Sequence, residues 1–238
     1  MFFPKNDDQY HSLKHITELL LSEFIRIFGK EVMENENCSI YNCPQKSCPI
    51  LLNTNPSVIS LACARLNYWC QVIFQLSHEM CHFSIRQKKL GSRRCYTVSW
   101  FEELICEAFS LYCLKYSADH WLECPLSIIN TSYGTSISQY LKNELCKQGN
   151  ERFRSIYTLN DLLVYENEKV SENDRDSQRN ERNLLYYEIL KAPEECLELC
   201  NYQDYLVAPN YVTIDFDKWL LDTDKNIVRF IRTLVHFD

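Results

Sequence analysis

The stretch from Asn67 to Ile85 reads NYWCQVIFQLSHEMCHFSI, and the rest of the chain is most simply interpreted as support for this segment. Its apolar residues recur at helical spacing along one stripe, which comprises Trp69, Val72, Ile73, Leu76, Met80 and Phe83. Further apolar side chains flank the opposite face, so the helix would be apolar on nearly all sides. Because a helix of that kind is normally buried, the pattern predicts a buried α-helix here.

Within this helix, the residues His78-Glu79-Met80-Cys81-His82 form an H-E-x-x-H motif. Residues four apart lie one turn apart on the same face, so both imidazoles can bind one Zn²⁺ at about 2.0–2.1 Å. Glu79 lies about 100° round the helix from His78, beside such a metal rather than on it. There its carboxylate can accept a proton from a water molecule whose pKa zinc lowers to about 7. The alternative is two ordinary histidines on one helix face.

A catalytic zinc site also needs a third protein ligand. A metzincin would place Gly at position 85 and His at position 88, where this chain has Ile85 and Lys88. The sequence Ser99-Trp100-Phe101-Glu102 instead has the capping-box pattern, which predicts the start of a second helix with Glu102 as its cap. The third ligand is therefore expected on that helix.

Two carboxylates of the second helix, Glu103 and Glu107, lie one turn apart on a common face. We interpret Glu103 as the third zinc ligand. We interpret Glu107 as the acceptor of the N–H of a ligand histidine, which would fix the tautomer of that histidine. His120 is the alternative third ligand.

Together, the segments HEMCH and EELICEAFS resemble the gluzincin class of zinc metallopeptidases. The resemblance is to minimal-scaffold and ImmA/IrrE-type members, in which H-E-x-x-H precedes an E-x-x-A-N-x-F-A segment. It covers roughly residues 35–120, and the second segment departs from the pattern at Cys106, Glu107 and Ser110. It implies one zinc ion per chain and four functional residues, the ligands His78, His82 and Glu103 and the catalytic base Glu79.

The overall composition of the chain argues against several other functional classes. The chain has 238 residues, 46% of them apolar, enough for one large domain or for a domain with an extension. Its formal net charge of −7 argues against a nucleic-acid partner. No membrane partner is expected, because no apolar run approaches the ~18 residues that span a bilayer. Only four glycines and seven prolines favour a mainly helical chain.

The thirteen cysteines are an odd number, and the first eight residues lack the basic and apolar regions of a secretory signal. We therefore expect reduced thiols in a cytoplasmic protein. Three of them, Cys38, Cys43 and Cys48, follow the spacing C-x4-C-x4-C. A second metal site there is the alternative to ordinary loop or strand cysteines, although the pattern lacks the fourth ligand of structural zinc sites.

Short strands are predicted around residues 39–41, 49–52 and 57–64. In the last strand, the small residues Ser60 and Ala62 alternate with larger apolar ones. One interpretation is a half-buried strand. The other is an edge strand beside the zinc, whose backbone at Ser60 and Ala62 would bind an extended peptide substrate by strand addition.

The remaining sequence is predicted to be helical. Residues 9–32 form an amphipathic helix, residues 135–147 are weakly helical, and residues 159–191 resemble one long helix with a highly charged middle. Further short helices follow towards the C-terminus, and the last has a clear apolar stripe. We expect this C-terminal half to pack on the catalytic half.

The sequence thus predicts an α+β fold with a small antiparallel or mixed sheet, the H-E-x-x-H helix, the ligand helix and a helical C-terminal half. The expected domains are a catalytic core over residues 1–125 and an extension over residues 126–238. The favoured function is a zinc metallopeptidase that hydrolyses a peptide bond in a protein or peptide substrate, and the resemblance makes a regulatory protein plausible as that substrate. The alternatives are a metal-retaining but inactive interaction or sensor module, and a structural protein with an accidental motif.

Overall fold

The structure is a computed structural model that describes residues 8–34, 36–89, 96–172 and 176–235. Its fold is α+β, as predicted, and helices dominate it. The strands of the described residues are β1 (Cys38–Asn42), β2 (Ile50–Leu52) and β3 (Ser57–Leu61). The α-helices are α1 (Asp8–Phe28), α2 (Lys30–Glu34), α3 (Trp69–Lys88), α4 (Ser99–Asp119), α5 (Tyr133–Cys146), α6 (Leu159–Glu172), α7 (Arg179–Ile189), α8 (Cys196–Leu199), α9 (Phe216–Thr223) and α10 (Asn226–Leu234).

The chain divides into two compact units, Met1–Gln87 with Phe109–Cys146, and Lys88–Ala108 with Lys147–Asp238. Helix α4 runs from the second unit into the first. The predicted boundary at residue 125 falls inside the first unit. The division into a catalytic core and a C-terminal extension therefore stays a prediction.

The first unit contains the three-stranded mixed sheet, in the order β1-β3-β2. The central strand β3 pairs in parallel with β1 and antiparallel with β2. The carboxylate of Glu36, just before β1, accepts the backbone N–H and the hydroxyl of Ser57, each at 3.0 Å. It also accepts the side-chain amide of Gln87 at 2.8 Å. These bonds fasten the end of α3 to the first residue of β3.

Helix α3 is buried almost all round, as its composition predicts. Sixteen of its twenty residues are buried, including all six of the predicted apolar stripe. At its first turn, the ring of Trp69 packs on Trp121 at 5.4 Å and on Tyr133 at 4.6 Å between ring centroids. A helix with this much burial holds its polar side chains in a fixed place, because rotation about its axis would expose apolar surface.

Helix α1 supplies another face of the first unit. The apolar residues that recur at helical spacing along α1 are all buried, namely Leu13, Ile16, Leu20, Phe24 and Ile27. The ring of Phe24 lies 5.1 Å from that of Phe109. The predicted helix over residues 9–32 is interrupted at Gly29, which has a φ of +90° and separates α1 from α2. A glycine in that conformation commonly ends a helix, since other residues pay a steric cost for it.

The second unit is built around the first half of α4. The ring of Phe101 packs on Tyr202 at 5.1 Å and on Trp219 at 6.1 Å, and the ring of Trp100 packs on Phe153 at 5.7 Å. The sequence therefore places aromatic side chains at the start of α4, where they form the core of this unit.

One predicted helix is divided in the structure. The segment 159–191 forms α6 and α7, with turn and bend conformations at residues 176–178 between them. The charged middle contains Asp, Asn and Ser residues, whose side chains compete for backbone hydrogen bonds and lower helix propensity. The expectation of one long helix is wrong for this reason. None of the helices in the described ranges has the length and apolar composition that a membrane crossing requires.

Candidate metal centre

Helix α3 brings the two histidines of the motif together. The Nε2 atoms of His78 and His82 lie 3.2 Å apart, and their ring centroids are 4.9 Å apart. His78 is buried and His82 is half-buried. Their i, i+4 spacing produces this approach, so the local helix alone accounts for it.

The third member of the cluster comes from α4. Ligand atoms of His78, His82 and Glu103 all lie within 4.8 Å of one another. These three residues could hold a metal ion, as the sequence predicted. The Nδ1 atom of His120 lies 2.9 Å from the backbone oxygen of Tyr116, and His120 is outside the cluster.

The geometry can be compared with what a tetrahedral zinc ion requires. Two ligands at about 2.0–2.1 Å from such an ion lie about 3.3–3.4 Å from each other, close to the observed separation of the two histidine nitrogens. Two histidines and one glutamate are also a known ligand set of catalytic zinc. One N–H···N hydrogen bond between His78 and His82 would give a similar distance, so the geometry fits zinc without identifying it.

Glu79 lies on α3 between the two histidines and is only 3% exposed. Its carboxylate has no hydrogen-bond or ion-pair partner among the residues that the structure describes. Neither carboxylate oxygen is among the fully buried polar atoms that lack a partner, so the group keeps some access to water. Burying the rest of a charged side chain in this way still costs free energy. Such a group is expected where function requires it.

Glu107 lies one turn after Glu103 and forms a buried ion pair. Its Oε2 accepts a hydrogen bond from Nη1 of Arg182, on α7, at 3.0 Å, and both side chains are less than one tenth exposed. The predicted bond from a ligand histidine to Glu107 stays a prediction. No sequence pattern indicates a role for Arg182, because the pair joins residues 75 positions apart.

Glu102 does not act as the predicted cap of α4. The carboxylate of Glu166 takes that place, accepting the backbone N–H groups of Ser99 at 2.6 Å and Trp100 at 2.9 Å. Glu102 accepts the hydroxyl of Tyr202 instead. The difference arises because the carbonyl of Val98 accepts the N–H of Glu102, which places Ser99 one position inside the helix.

The hydroxyl of Tyr202 is held in a buried and acidic environment. Burial, together with the charge of Glu102, holds the pKa of Tyr202 well above its usual value. The Nζ of Lys89 lies 3.9 Å from the centroid of the Tyr202 ring. Two of the buried carboxylates of α4 are therefore held by residues that the sequence analysis did not single out.

The strand predicted to bind substrate is not an edge strand. Ser60 lies in β3, where it is opposite Tyr41 on one side and Ile50 on the other. Just beyond β3, the N–H of Ala62 donates to Oε1 of Gln75 at 2.8 Å. The expectation that a peptide adds to the backbone at Ser60 and Ala62 is wrong in this respect, because alternating small residues occur in central and edge strands alike.

The cysteines 38, 43 and 48 form no metal-ligand cluster within the described residues. Burial raises the pKa of Cys38 to about 11, which keeps it a thiol. The described residues therefore give no support to a second metal site at these three cysteines.

Comparison with known proteins adds no relative to this geometry. The chain matches no family model, and neither a similar curated protein nor a similar solved structure was found. The interpretation of the site therefore depends on its residues alone, which form a His-His-Glu cluster beside a buried carboxylate.

Proposed function

We propose that this chain is a zinc-dependent metallopeptidase that hydrolyses a peptide bond of a protein or peptide substrate. The observation that carries the proposal is the position of Glu79, buried to 3% exposure between two histidines whose Nε2 atoms are 3.2 Å apart. His78, His82 and Glu103 would hold one zinc ion, and Glu79 would act as the general base. A bound zinc ion would supply the Lewis acidity that lowers the pKa of water to about 7.

Each of the chain's own groups then has a defined task. Glu79 accepts a proton from the attacking water as the water oxygen bonds to the peptide carbonyl carbon. As the C–N bond breaks, the same group returns that proton to the leaving amine.

The substrate class is proposed on the resemblance to gluzincins, which makes a regulatory protein plausible. The proposed enzyme acts in a cytoplasmic environment, in agreement with the many thiols of the chain. Nine of the twelve described cysteines are buried, and none of the twelve is in a disulfide. Reduced thiols are what a reducing compartment maintains.

Glu79→Gln tests the proposal, because it preserves shape and removes the base. The variant should fold, keep its zinc and lose at least about a hundredfold in cleavage rate. The measurement compares new protein N-termini in cells that produce the wild type or the variant. New termini that depend on Glu79 identify the substrate at the same time.

The second candidate is a metal-retaining sensor or interaction module. It is favoured by the same His-His-Glu cluster, which would bind a metal without any need for catalysis. Identical sets of N-termini for wild type and Glu79→Gln, with zinc bound in both, would establish the sensor and contradict the enzyme.

A further inference from the structure

Glu103 and Glu107 are linked by the geometry of α4. Four residues turn an α-helix by about 400°, so the two side chains differ in direction by only about 40°. A group that holds Glu107 in place therefore also sets the direction in which Glu103 points.

Arg182 is that group. Its Nη1 donates to Glu107 at 3.0 Å, and its Nε and Nη2 donate to Oδ1 of Asn183 at 3.1 and 3.0 Å. The guanidinium is thus held on both sides, in a pocket where Arg182 is only 3% exposed. A planar group fixed in this way defines a position and an orientation, which a flexible lysine would not.

The pair is difficult to explain by stability alone. Removing two charges from water costs more than their attraction commonly returns, and apolar replacements of such pairs are often neutral or stabilising. The better-attested role of buried polar pairs is to select one packing arrangement, or register, among several that would otherwise be possible. At this position on α4, the register is the rotation of the helix about its own axis.

That rotation matters for a metal ligand. A carboxylate on a helix lies about 5–6 Å from the helix axis, so a rotation of about 20° moves it by about 2 Å. That displacement is as long as the zinc–oxygen bond itself, which is about 2.0–2.2 Å. A small change in the rotation of α4 would therefore remove Glu103 from the ligand set.

We propose that Arg182 is a positioning residue for the metal ligand Glu103, acting through its ion pair with Glu107. This inference rests on the proposed zinc site. It also assigns a task to the C-terminal half of the chain, for which the sequence predicted none: α7 fixes the rotation of the ligand helix.

Competition with a chromophoric chelator measures the zinc affinity of the whole chain. The absorption spectrum of the Co²⁺-substituted chain reports the coordination geometry. Arg182→Met should lower zinc affinity by about 10–100-fold and change the Co²⁺ spectrum. Arg182→Lys keeps the charge but loses the hydrogen bonds of the planar guanidinium, and it should lower the zinc affinity by a smaller factor. If Arg182→Met does not fold, Arg182→Lys decides the question.

The matched control is Arg154→Met. Arg154 forms an ion pair at 2.8 Å with Glu181, the residue before Arg182 on α7, and here only the glutamate is buried, because Glu181 is 3% exposed and Arg154 is 43% exposed. This change should lower the resistance to urea without altering zinc affinity or the Co²⁺ spectrum. Wild-type zinc affinity in folded Arg182→Lys and Arg182→Met would overturn the positioning role. A wild-type chain that binds no zinc would instead overturn the proposed function, and the positioning role as well.

Discussion

The Nε2 atoms of His78 and His82 lie 3.2 Å apart on successive turns of α3. Two imidazole nitrogens at this separation can share either one proton or one metal ion, and the nearby carboxylate of Glu103 favours the metal. We expect about one zinc per chain after purification without added metal. His82→Ala and Glu103→Ala should each release most of it, as measured by elemental analysis. Full retention of zinc in both variants would refute the assignment of these ligands.

Tyr202→Phe should lower the free energy of unfolding by about 1–3 kcal/mol, because the buried Glu102 loses a hydrogen-bond donor. Zinc content should not change, since Glu102 points about 100° away from the direction of Glu103. Chemical denaturation and elemental analysis check the two parts. Tyr187→Phe is the control, because Tyr187 is 53% exposed and should alter neither quantity. Loss of zinc in Tyr202→Phe would mean that Glu102, and not Glu103, is the ligand.

The sequence predicted the parts of the site that depend on local geometry. The approach of His78 to His82 follows from their spacing on one helix, and the direction of Glu103 follows from the start of α4. Contacts between residues that are far apart in the sequence could not be predicted in this way. The bond of Glu166 to Ser99 joins residues 67 positions apart, and only the tertiary fold brings them together.

The sheet shows a different limit of sequence reasoning. The alternation of residue sizes in β3 identified a strand correctly, but it did not show whether that strand has one neighbour or two. Ser60 lies opposite both Tyr41 and Ile50. The number of neighbours depends on which strands pair, and pairing is decided by connections and by burial of both faces.

Glu166→Gln should destabilise the chain by about 1 kcal/mol, because it removes the negative charge that accepts two N–H groups at the start of α4. Urea unfolding of the variant measures this cost. Glu188→Gln is the control, since Glu188 forms an ion pair with Lys191, which is 69% exposed, and within the described ranges it accepts no backbone N–H. Surface pairs of that kind contribute about 0–1 kcal/mol. Equal effects of the two changes would show that Glu166 has no special role as a cap.

Glu36 should make stability depend on pH. Burial raises its pKa, but the hydrogen bonds from Gln87 and Ser57 outweigh burial and hold the pKa of Glu36 below its usual value of 4.5. A carboxyl whose pKa is lower in the folded state stabilises the fold above pH 4.5, and this contribution is lost as the pH falls through the folded value. The zinc-free wild type should therefore lose more stability than Glu36→Gln between about pH 6 and about pH 3.5. Parallel losses in the two chains would show that Glu36 contributes no such linkage.

A carboxylate at position 79 is expected to lower the stability of the fold. The residue is only 3% exposed, and its carboxylate has no hydrogen-bond or ion-pair partner in the described parts of the chain. A group that served packing would be better replaced by a neutral one, because removing most of a charged side chain from water without a partner costs free energy. Glu79→Gln should therefore raise the free energy of unfolding of the zinc-free chain, by about 1 kcal/mol or more. Urea denaturation in the presence of a chelator measures the change. A loss of stability in Glu79→Gln would mean that Glu79 serves the fold, and its burial would then give no support to a catalytic role.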